Sequence, residues 1–439
     1  MDNKSTTNLM RFIDKSPSCY HVISNIINKL DGFIELSEGE KWNIKPGKSY
    51  YVMRNMSSII AFKVPKNYVC GFHIVASHSD SPTFKLKPNA EIEISKEYVK
   101  LNIEKYGGMI CNTWFDKPLS IAGRITVKDE EKIITKLVNI DRDLVLIPSL
   151  AIHMGGNPEK PNVQTDMLPL YGGSGEKASE NTLLKIIAEN AKVDENSILG
   201  SDLFLYNRMK SSIWGQNNEF VSAPRLDDLQ CVFASLEGFL KSDNNKNENI
   251  SVLSVFDNEE VGSGTKQGAK STFLKDTLIR INDAMGRTSS EYLQALASSF
   301  MLSADNAHAV HPNMTDKSDV KNRPHMNKGV VIKYNANQKY TTDSVSEAIF
   351  KSICDRASVP WQTYANRSDM PGGSTLGNLA MENVSINTVD IGLSQLAMHS
   401  SYETAGVLDT EYMQKAILTF YNTSVVLSNT NEYTMKHHI

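Results

Sequence analysis

Five short segments, far apart in the chain, place acidic or histidine side chains directly after apolar runs. These segments are residues 77–82, 225–228, 257–262, 303–305 and 398–400. Together they offer two imidazoles, three carboxylates able to bind metal and one further carboxylate. Imidazole nitrogens and carboxylate oxygens are ligands from which proteins build zinc, manganese or cobalt sites. The pattern therefore predicts a hydrolytic site with two metal ions.

The division of ligands between two metals follows from the residue types. Asp227 is the candidate for a carboxylate shared by both ions, because an aspartate has two oxygens on a short side chain. We expect His78 and Asp305 on one ion, and Glu260 and His399 on the other. Two divalent cations bring four positive charges and three carboxylates remove three, so a bridging hydroxide would neutralise the centre. Two Zn²⁺ per chain suit this set, with Mn²⁺ or Co²⁺ as alternatives.

A general base is also present beside the predicted ligands. Glu259 and Glu260 are adjacent, and consecutive residues of a regular strand point to opposite faces. Both reach one site only if the strand ends here, which the following Val-Gly-Ser-Gly run favours. Glu259 is then free to take a proton from the metal-bound water and pass it to the leaving group. We expect Asp80, two residues after His78, to orient that imidazole.

Strands and helices must bring these segments together. Residues 69–77 and 250–256 are apolar runs that predict buried strands, and each leads directly into one of the segments. Binding sites of α/β sheets lie beyond the carboxyl ends of strands, so this placement favours function. Asp227 precedes apolar residues at helical spacing, and residues 344–347 predict a capping box that begins with Ser344.

The pattern changes between about residues 90 and 218. Alternating strand-like stretches, such as residues 91–94 and 121–127, dominate there, and the block holds none of the candidate ligands. We predict an inserted β-rich domain at residues 90–218. The flanks, residues 1–89 and 219–439, would form one discontinuous α/β domain with a mixed sheet that carries the chemistry.

Composition excludes several functional classes. The chain has 439 residues, a formal net charge of −4 and no long basic block, so we expect no nucleic-acid binding. No apolar run is long enough to span a bilayer and the first residues are polar, so we expect no membrane association and a cytoplasmic location. The five cysteines are odd in number and widely spaced, which argues against a disulfide framework and a thiolate zinc site.

Taken together, the motifs resemble the aspartyl aminopeptidase family. The resembling stretches are residues 77–82, 222–227, 257–263, 303–313 and 395–400, and the match runs in order from about residue 15 to the C-terminus. The resemblance implies a cytosolic dinuclear zinc exopeptidase with the ligands and base named above. It would act on peptides with a free N-terminus, with Asp or Glu as the namesake residue and neutral or apolar residues in some members. The inserted block would be a dimerisation domain within a tetrahedral homododecamer.

The resemblance also points to substrate-binding residues. Lys333, in residues 331–335, matches the family stretch whose lysine faces the substrate. His153, in residues 150–153, matches the stretch whose histidine reaches the active site of a neighbouring subunit. Gly372 and Gly373 belong to a run that matches the loop lining the substrate pocket. This loop departs from the Cys-Gly-Thr-Thr version of some members, which leaves the side-chain preference open.

Several residues have a structural alternative. Asp227 alone would be interpreted as an N-cap, which competes with metal binding because bridging uses both oxygens. Asp228 is expected to be a solvated charge. His308 and His311 form an H-x-x-H pair, but Asp305 fits the ligand role better, so we expect them to be structural or to lie behind the ligands.

Two rival functions remain. Residues 264–271 follow a strand and differ from the P-loop pattern only at Ala269, where the loop needs glycine. A Cβ there disfavours the positive φ that wraps phosphate, and nucleotide binding would leave the two histidine ligands without a role. The other alternative is a catalytically silent scaffold of the same fold, against which the complete set of ligands and base argues.

Overall fold

The computed structural model of the protein describes residues 4–66, 70–173, 182–243 and 247–438. Its strands are β1 Ile34–Leu36, β2 Ser49–Arg54, β3 Ser58–Lys63, β4 Gly71–His78, β5 Thr83–Ile94, β6 Tyr98–Tyr106, β7 Leu119–Asp129, β8 Lys132–Asn139, β9 Leu170–Gly173, β10 Ile198–Asn207, β11 Ser212–Trp214, β12 Phe220–Ala223, β13 Asn249–Phe256, β14 Phe300–Ala304, β15 Ala307–His308, β16 Val330–Tyr334, β17 Trp361–Ala365, β18 Asn387–Gly392, β19 Ser394–Leu396, β20 Glu403–Gly406, β21 Thr423–Asn429 and β22 Glu432–His437. Its α-helices are α1 Lys4–Asp14, α2 Cys19–Ile27, α3 Val163–Asp166, α4 Thr182–Ala191, α5 Leu226–Lys241, α6 Phe273–Ala284, α7 Ser289–Ala297, α8 Ser344–Ala357, α9 Leu376–Ala380 and α10 Asp409–Tyr421.

A mixed nine-stranded sheet forms the centre of the molecule. Its order is β1-β2-β3-β13-β4-β14-β18-β16-β17. Every residue of β4 and β13 is buried, as expected for central strands covered on both faces. Helices α1, α2, α5, α8 and α10 contribute to the apolar core on one face, and α6, α7 and α9 to the core on the other. The predicted α/β class with a mixed sheet is confirmed.

Three neighbouring parallel strands end at the same edge of this sheet. Strand β4 pairs with β13 so that His78 lies opposite Phe256, and with β14 so that Ala76 lies opposite Ser303. The residues that follow the three strands therefore meet at one place. The predicted strands at 69–77 and 250–256 correspond to β4 and β13, although Val69 lies outside the described residues.

A second sheet, of six antiparallel strands in the order β8-β7-β10-β5-β6-β9, has its own apolar core. It begins at Thr83 and ends at Asn207, compared with the predicted limits of 90 and 218. The first limit differs because β5 is one long strand that starts at the metal-binding region. The second differs because β11 pairs with β12 in another sheet.

A third sheet, of five strands in the order β11-β12-β20-β19-β15, brings the last candidate ligands together, and β21 and β22 form a separate two-stranded sheet. Ala223 of β12 lies opposite Glu403 of β20. Strand β12 leads into Asp227, and the connection between β19 and β20 carries His399. Ala223 and Glu403, 180 positions apart in sequence, thus become neighbours through strand pairing.

Three smaller expectations were also tested by the fold. The capping box of α8 exists, but Asp343 is its N-cap and Ser346 its partner, so the prediction of Ser344 was wrong by one residue. The five cysteines are all free. Within the described ranges, no helix has the length and apolar character required to cross a membrane.

Candidate metal centre

The Asp227 side chain lies between two imidazoles. Its Oδ1 is 3.5 Å from Nε2 of His78, and its Oδ2 is 3.5 Å from Nε2 of His399. The N-cap of α5 is Arg225 rather than Asp227, and the backbone at Asp227 is not helical. The N-cap alternative therefore has no support in this geometry.

Two groups of potential ligand atoms share Asp227. One group contains His78, Asp227, Asp228 and Asp305, and the other contains Asp227, Glu260 and His399; within each, the ligand atoms lie within 4.8 Å of one another. We call the five residues predicted as ligands (His78, Asp227, Glu260, Asp305 and His399) the metal-ligand cluster. The structure brings all five together, and a further group joins His78 to Glu259 and Glu260.

The two adjacent glutamates reach the cluster because strand β13 ends at Phe256. They begin a short 3₁₀ turn, Glu259–Val261, which we call the glutamate turn. The Asp80 carboxylate holds this turn, since Oδ1 accepts from the Glu259 N–H at 3.1 Å and Oδ2 from the Glu260 N–H at 3.2 Å. Asp80 also lies against His78: its backbone oxygen is 3.1 Å and its carboxylate oxygen 3.4 Å from Nδ1 of that imidazole.

Glu403 is a component of the site that the sequence analysis missed. Its carboxylate accepts from the Asp227 N–H at 3.0 Å and from the His399 N–H at 2.7 Å. Burial, followed by the charge of Asp227, raises the pKa of Glu403 to about 8. One buried side chain thus fixes the backbone of two cluster residues that belong to different elements. Its position four residues after His399 gave no local signal of this contact.

The expectation that Asp228 is a solvated charge was wrong. Asp228 is fully buried, and its Oδ2 accepts from the backbone N–H of His78 at 3.1 Å. The same oxygen is 4.0 Å from Nε2 of His78. Two consecutive aspartates therefore face the same imidazole, because the non-helical backbone at 227 and 228 turns both side chains inward.

Crowded carboxylates dominate the electrostatics of the site. Burial and then the charge of Asp227 raise the pKa of Glu260 well above its usual range. Burial also raises the pKa of Glu259 to about 8, and His78 only partly opposes this. Asp227 differs: burial acts to raise its pKa, but the adjacent imidazoles of His399 and His78 together outweigh burial and lower it. The cluster thus concentrates negative charge that cations would stabilise.

Unpaired buried oxygens show that the cluster fits metal ions. Oδ1 of Asp227, Oδ1 of Asp228 and Oε1 of Glu260 are buried without a hydrogen-bond partner. Such atoms are rare in folded proteins, because burying an unpaired charged oxygen costs free energy. Oxygen and imidazole donors of this kind are ligands for zinc. The residues present therefore suit the metal that the sequence predicted.

Lys333 lies next to the cluster but is almost completely buried. Its Nζ donates to the backbone oxygen of Asn306 at 2.8 Å and is 3.6 Å from Oδ2 of Asp305. Burial acts to lower the pKa of Lys333, yet Asp305 and other neighbouring groups, among them Tyr340 and Asp390, together outweigh burial, so the pKa is raised. The ammonium group is therefore charged and placed directly behind a predicted ligand.

The two predicted loop glycines lie in the connection between β17 and α9. The backbone oxygen of Gly372 accepts from Nζ of Lys339 at 3.0 Å, and an added Cβ would approach the Asn366 side chain at 2.9 Å. Gly373 has open space around it. At the end of this loop, Thr375 donates to Asp390, whose charge also contributes to the raised pKa of Lys333. The loop is thereby tied to the neighbourhood of the cluster.

His153 is a predicted site residue that the structure leaves apart from the cluster. It lies on an exposed 3₁₀ turn, Ile152–Met154, that belongs to the six-stranded block. It is in none of the groups of potential metal ligands found among the described residues. Within a single chain, His153 takes no part in the site.

The geometry gives no support to phosphate binding by residues 264–271. Lys270 is paired with Glu382 at 3.3 Å, and the Ser271 hydroxyl donates to the backbone oxygen of Gly268. The two side chains that a P-loop uses on phosphate and its metal ion are thus engaged elsewhere. His308 packs its ring against Tyr364 and, like His311, is in none of the ligand groups of the described residues.

The position of this cluster, beyond the carboxyl ends of strands in a mixed α/β sheet, is that of a metal-dependent hydrolase with a zinc exopeptidase fold. The model of the aminopeptidase I zinc metalloprotease (M18) family matches residues 12–421. The chain belongs to this family and is a metallo-aminopeptidase.

Individual relatives agree with this assignment. The chain is 48% identical over 430 residues to a probable M18 family aminopeptidase 2 of Clostridium novyi, covering 95% of this chain and 99% of the relative. It is 40% identical to aspartyl aminopeptidase 1 of Schizosaccharomyces pombe, with 93% of each chain covered. The solved mApe1 dodecamer of S. cerevisiae superposes with a TM-score of 0.84 at 28% identity, covering 95% of this chain and 96% of that one.

Proposed function

We propose that this aminopeptidase removes N-terminal residues with a centre of two metal ions that share Asp227. His78 and Asp305 would hold one ion, and Glu260 and His399 the other. The observation that carries the proposal is the Asp227 carboxylate, which directs one oxygen toward each imidazole at 3.5 Å. A second observation supports it: oxygens of Asp227 and Glu260 are buried without a hydrogen-bond partner.

Zinc is the metal we propose, with manganese or cobalt as substitutes, since the donors are oxygens and imidazole nitrogens without a thiolate. When bound, such ions act as Lewis acids that polarise the scissile carbonyl and acidify water. Asp228 would support the first site, because its carboxylate accepts from the His78 backbone. Glu403 would fix Asp227 and His399 from behind.

We assign the general base to Glu259. Its carboxylate lies in a group with His78 and Glu260, yet the five other ligands suffice for two ions without it. Burial raises its pKa to about 8, which is near the value at which a carboxylate both accepts and returns a proton at neutral pH. Glu259 would take a proton from the attacking water and deliver it to the leaving amine. Asp80 holds the backbone N–H of this residue and so sets its position.

For the substrate, we propose peptides with a free, preferably acidic, N-terminal residue. The charged Lys333 beside the cluster supports a preference for acidic side chains, and one relative is named an aspartyl aminopeptidase. The Gly372–Gly373 loop would line the pocket, because Asp390 ties the end of this loop to the surroundings of Lys333. Neutral or apolar residues are the alternative.

We further propose that the two blocks of the chain have different roles. We also propose that the protein is a cytoplasmic homo-oligomer. The flanks would form the metallopeptidase domain, and the six-stranded block, residues 83–207, the dimerisation domain. A tetrahedral dodecamer built from such dimers is supported by the dodecameric mApe1 structure. Ile152 and Met154 are 82% and 72% exposed, which suits a subunit contact that carries His153 into a neighbouring site.

Replacement of the base tests the mechanism. Glu259→Gln should keep two metal ions per chain and the oligomer, while turnover falls by a factor of about 10²–10⁴, the usual contribution of a general base. Metal content is measured by elemental analysis and turnover with an N-terminal aspartyl peptide. Glu237→Gln, on the surface beside Lys29, is the matched control. Substantial turnover in Glu259→Gln would overturn the assignment of the base.

A further inference from the structure

The six-stranded block touches the glutamate turn through Tyr106, the last residue of β6. The Tyr106 hydroxyl donates to Oδ2 of Asp80 at 2.7 Å and accepts from Nδ2 of Asn258 at 2.9 Å. Asp80 holds the turn from below, through the N–H groups of Glu259 and Glu260. Asn258 is the residue immediately before the turn. One hydroxyl therefore joins both supports of the segment that carries the proposed base.

Asn258 is itself fixed on its other side. It adopts a left-handed backbone with φ of 63°. Its Oδ1 accepts from the Thr265 hydroxyl at 2.8 Å and from Nε2 of Gln267 at 2.7 Å. With these contacts made, the amide nitrogen of Asn258 is directed to Tyr106. The hydroxyl thus completes a closed hydrogen-bonded ring through Asp80, the glutamate turn and Asn258.

The position of the hydroxyl is set by the six-stranded sheet. The Tyr106 ring packs edge-to-face on Phe204 of β10, with ring centroids 5.6 Å apart. Burial, followed by the charge of Asp80, raises the pKa of Tyr106, so the phenol keeps its proton and remains a donor. The packing of Tyr106 on Phe204 lies within the six-stranded sheet.

The residues that follow Tyr106 lie against the glutamate turn and the segment that carries His399. Gly107 has φ of +75°, and a Cβ added there would lie 3.1 Å from Cβ of Glu260. The backbone N–H of Ile110 donates to the backbone oxygen of His399 at 3.0 Å. The end of β6 and the segment after it therefore contact Asp80, Glu260 and His399 in turn.

We propose that Tyr106 is a positioning residue, supplied by the inserted block, that fixes the glutamate turn and with it both the proton-transferring Glu259 and the metal-binding Glu260. The inference rests on the proposed function, because it uses the roles assigned to these two glutamates. It gives the inserted block a part in the chemistry of its own chain, in addition to subunit contact.

Loss of the hydroxyl should loosen the turn without removing any group that touches metal or substrate. Asp80 would lose its shortest donor, and Asn258 the acceptor of its amide. Residues that orient metal ligands from behind typically change metal affinity or activity by about 10–100-fold when replaced. For Tyr106→Phe we expect kcat to fall by about tenfold or more with KM changed less than about twofold.

The matched control is Tyr206→Phe in the same sheet. Tyr206 is buried, and its hydroxyl bonds Asn139 and Ile140 rather than Asp80. Both variants lose one buried phenol hydroxyl, so a general effect on sheet stability would be shared by both. We expect Tyr206→Phe to keep the wild-type kcat and metal affinity. Thermal midpoints of the two variants measure any shared destabilisation.

Metal affinity provides a readout that does not depend on turnover. Zinc binding is measured by competition with a chromophoric chelator on the full chain, and Tyr106→Phe should bind one zinc about tenfold more weakly than Tyr206→Phe. This comparison decides the inference even if the wild-type protein cleaves no peptide, an outcome that would instead overturn the proposed function. Equal zinc affinity in the two variants, with equal kcat, would overturn the role of Tyr106.

A double-mutant cycle tests whether the ring acts as a unit. Asn258→Gly keeps the left-handed backbone and removes the amide partner of the tyrosine. If both residues act through one hydrogen-bonded ring, the losses of zinc affinity in Tyr106→Phe and Asn258→Gly should not add in the double variant. Additive losses would contradict the ring.

Discussion

The edge of the nine-stranded sheet and the turn at Ile152–Met154 differ in the surroundings of their side chains. The side chains at the sheet edge bond to other parts of the chain, whereas those of the turn are exposed. Within the chain, Asp80, Asp228 and Glu403 hold the backbone of metal-ligand cluster residues through hydrogen bonds. The Ile152–Met154 turn instead exposes large apolar side chains and a histidine to the surroundings of the chain. Apolar exposure of this kind is typical of an interaction surface. The comparison teaches that the predicted ligands already meet within one chain, whereas the proposed role of the turn requires a neighbouring subunit.

The largest effect on metal content and turnover should come from removing a ligand of the metal-ligand cluster. His399→Ala should reduce the metal content from about two ions per chain to about one and lower turnover by a factor of about 10² or more, since the shared-carboxylate site loses one ligand. Elemental analysis of the purified protein measures the metal.

His308→Ala is the matched control for this replacement, because His308 packs on Tyr364 and is in none of the ligand groups of the described residues. It should keep about two ions per chain. Unchanged metal content in His399→Ala would move the ligand elsewhere in the chain.

On the exposed side, Ile152→Asp should break the assembly while leaving metal content unchanged. A buried charge at a subunit contact is costly, so we expect smaller species by light scattering after size exclusion. Ile133→Asp is the control, since Ile133 is 63% exposed on strand β8 of the same sheet but outside the turn. Turnover should fall with the assembly, because His153 would no longer reach a neighbouring site. A variant that keeps the wild-type size would remove the turn from the contact.

Replacement of Lys333 tests whether its charge selects substrates with an acidic N-terminal residue. Lys333→Met keeps most of the side-chain volume and removes the charge, so cleavage of N-terminal aspartyl peptides should fall by about tenfold more than cleavage of alanyl peptides. The ratio of kcat/KM values for the two substrates measures the effect. An equal loss for both would indicate that Lys333 acts only through its contact with Asp305.

The smallest effect concerns the pH dependence of stability. Burial raises the pKa of Glu259 from 4.5 to about 8 in the folded metal-free protein. Between these values the folded state binds more protons than the unfolded state, so stability falls as pH rises. Bound metal ions would take the place of those protons. The metal-loaded protein should therefore not lose stability as the pH rises.

Thermal unfolding of the chelated and zinc-loaded protein measures this difference. The gap between their Tm values should widen by at least about 1 °C from pH 5 to pH 8, or roughly 1 kcal/mol for a chain of this length. A difference in Tm that does not depend on pH would contradict the claim that burial and neighbouring carboxylates raise the pKa of Glu259 in the metal-free protein.

The sequence predicted those parts of the structure that depend on local pattern. Continuous apolar runs identified β4 and β13, and the residues after them became the cluster. The candidate ligands come together because each lies at the end of a strand or at the start of a helix. This placement can be recognised from the sequence pattern alone.

Contacts over long sequence separations could not be predicted in this way. Asp228 was expected in solvent, but its burial depends on the non-helical backbone before α5. Glu403 and Tyr106 support the cluster through strand pairing that joins distant segments, and neither has a local signal. The six-stranded sheet has other limits than the predicted block, because β5 begins at Thr83 and β11 pairs with β12 in another sheet.

The central claim, a two-metal aminopeptidase centre held within one chain, is tested most directly by chelation and metal add-back. The release of single N-terminal residues from aspartyl, lysyl and leucyl peptides is measured before chelation, after it, and during stepwise addition of zinc. The account predicts that chelation abolishes release and that activity is restored only as zinc approaches two equivalents per chain. Release that persists without metal, or full recovery at one equivalent, would contradict it.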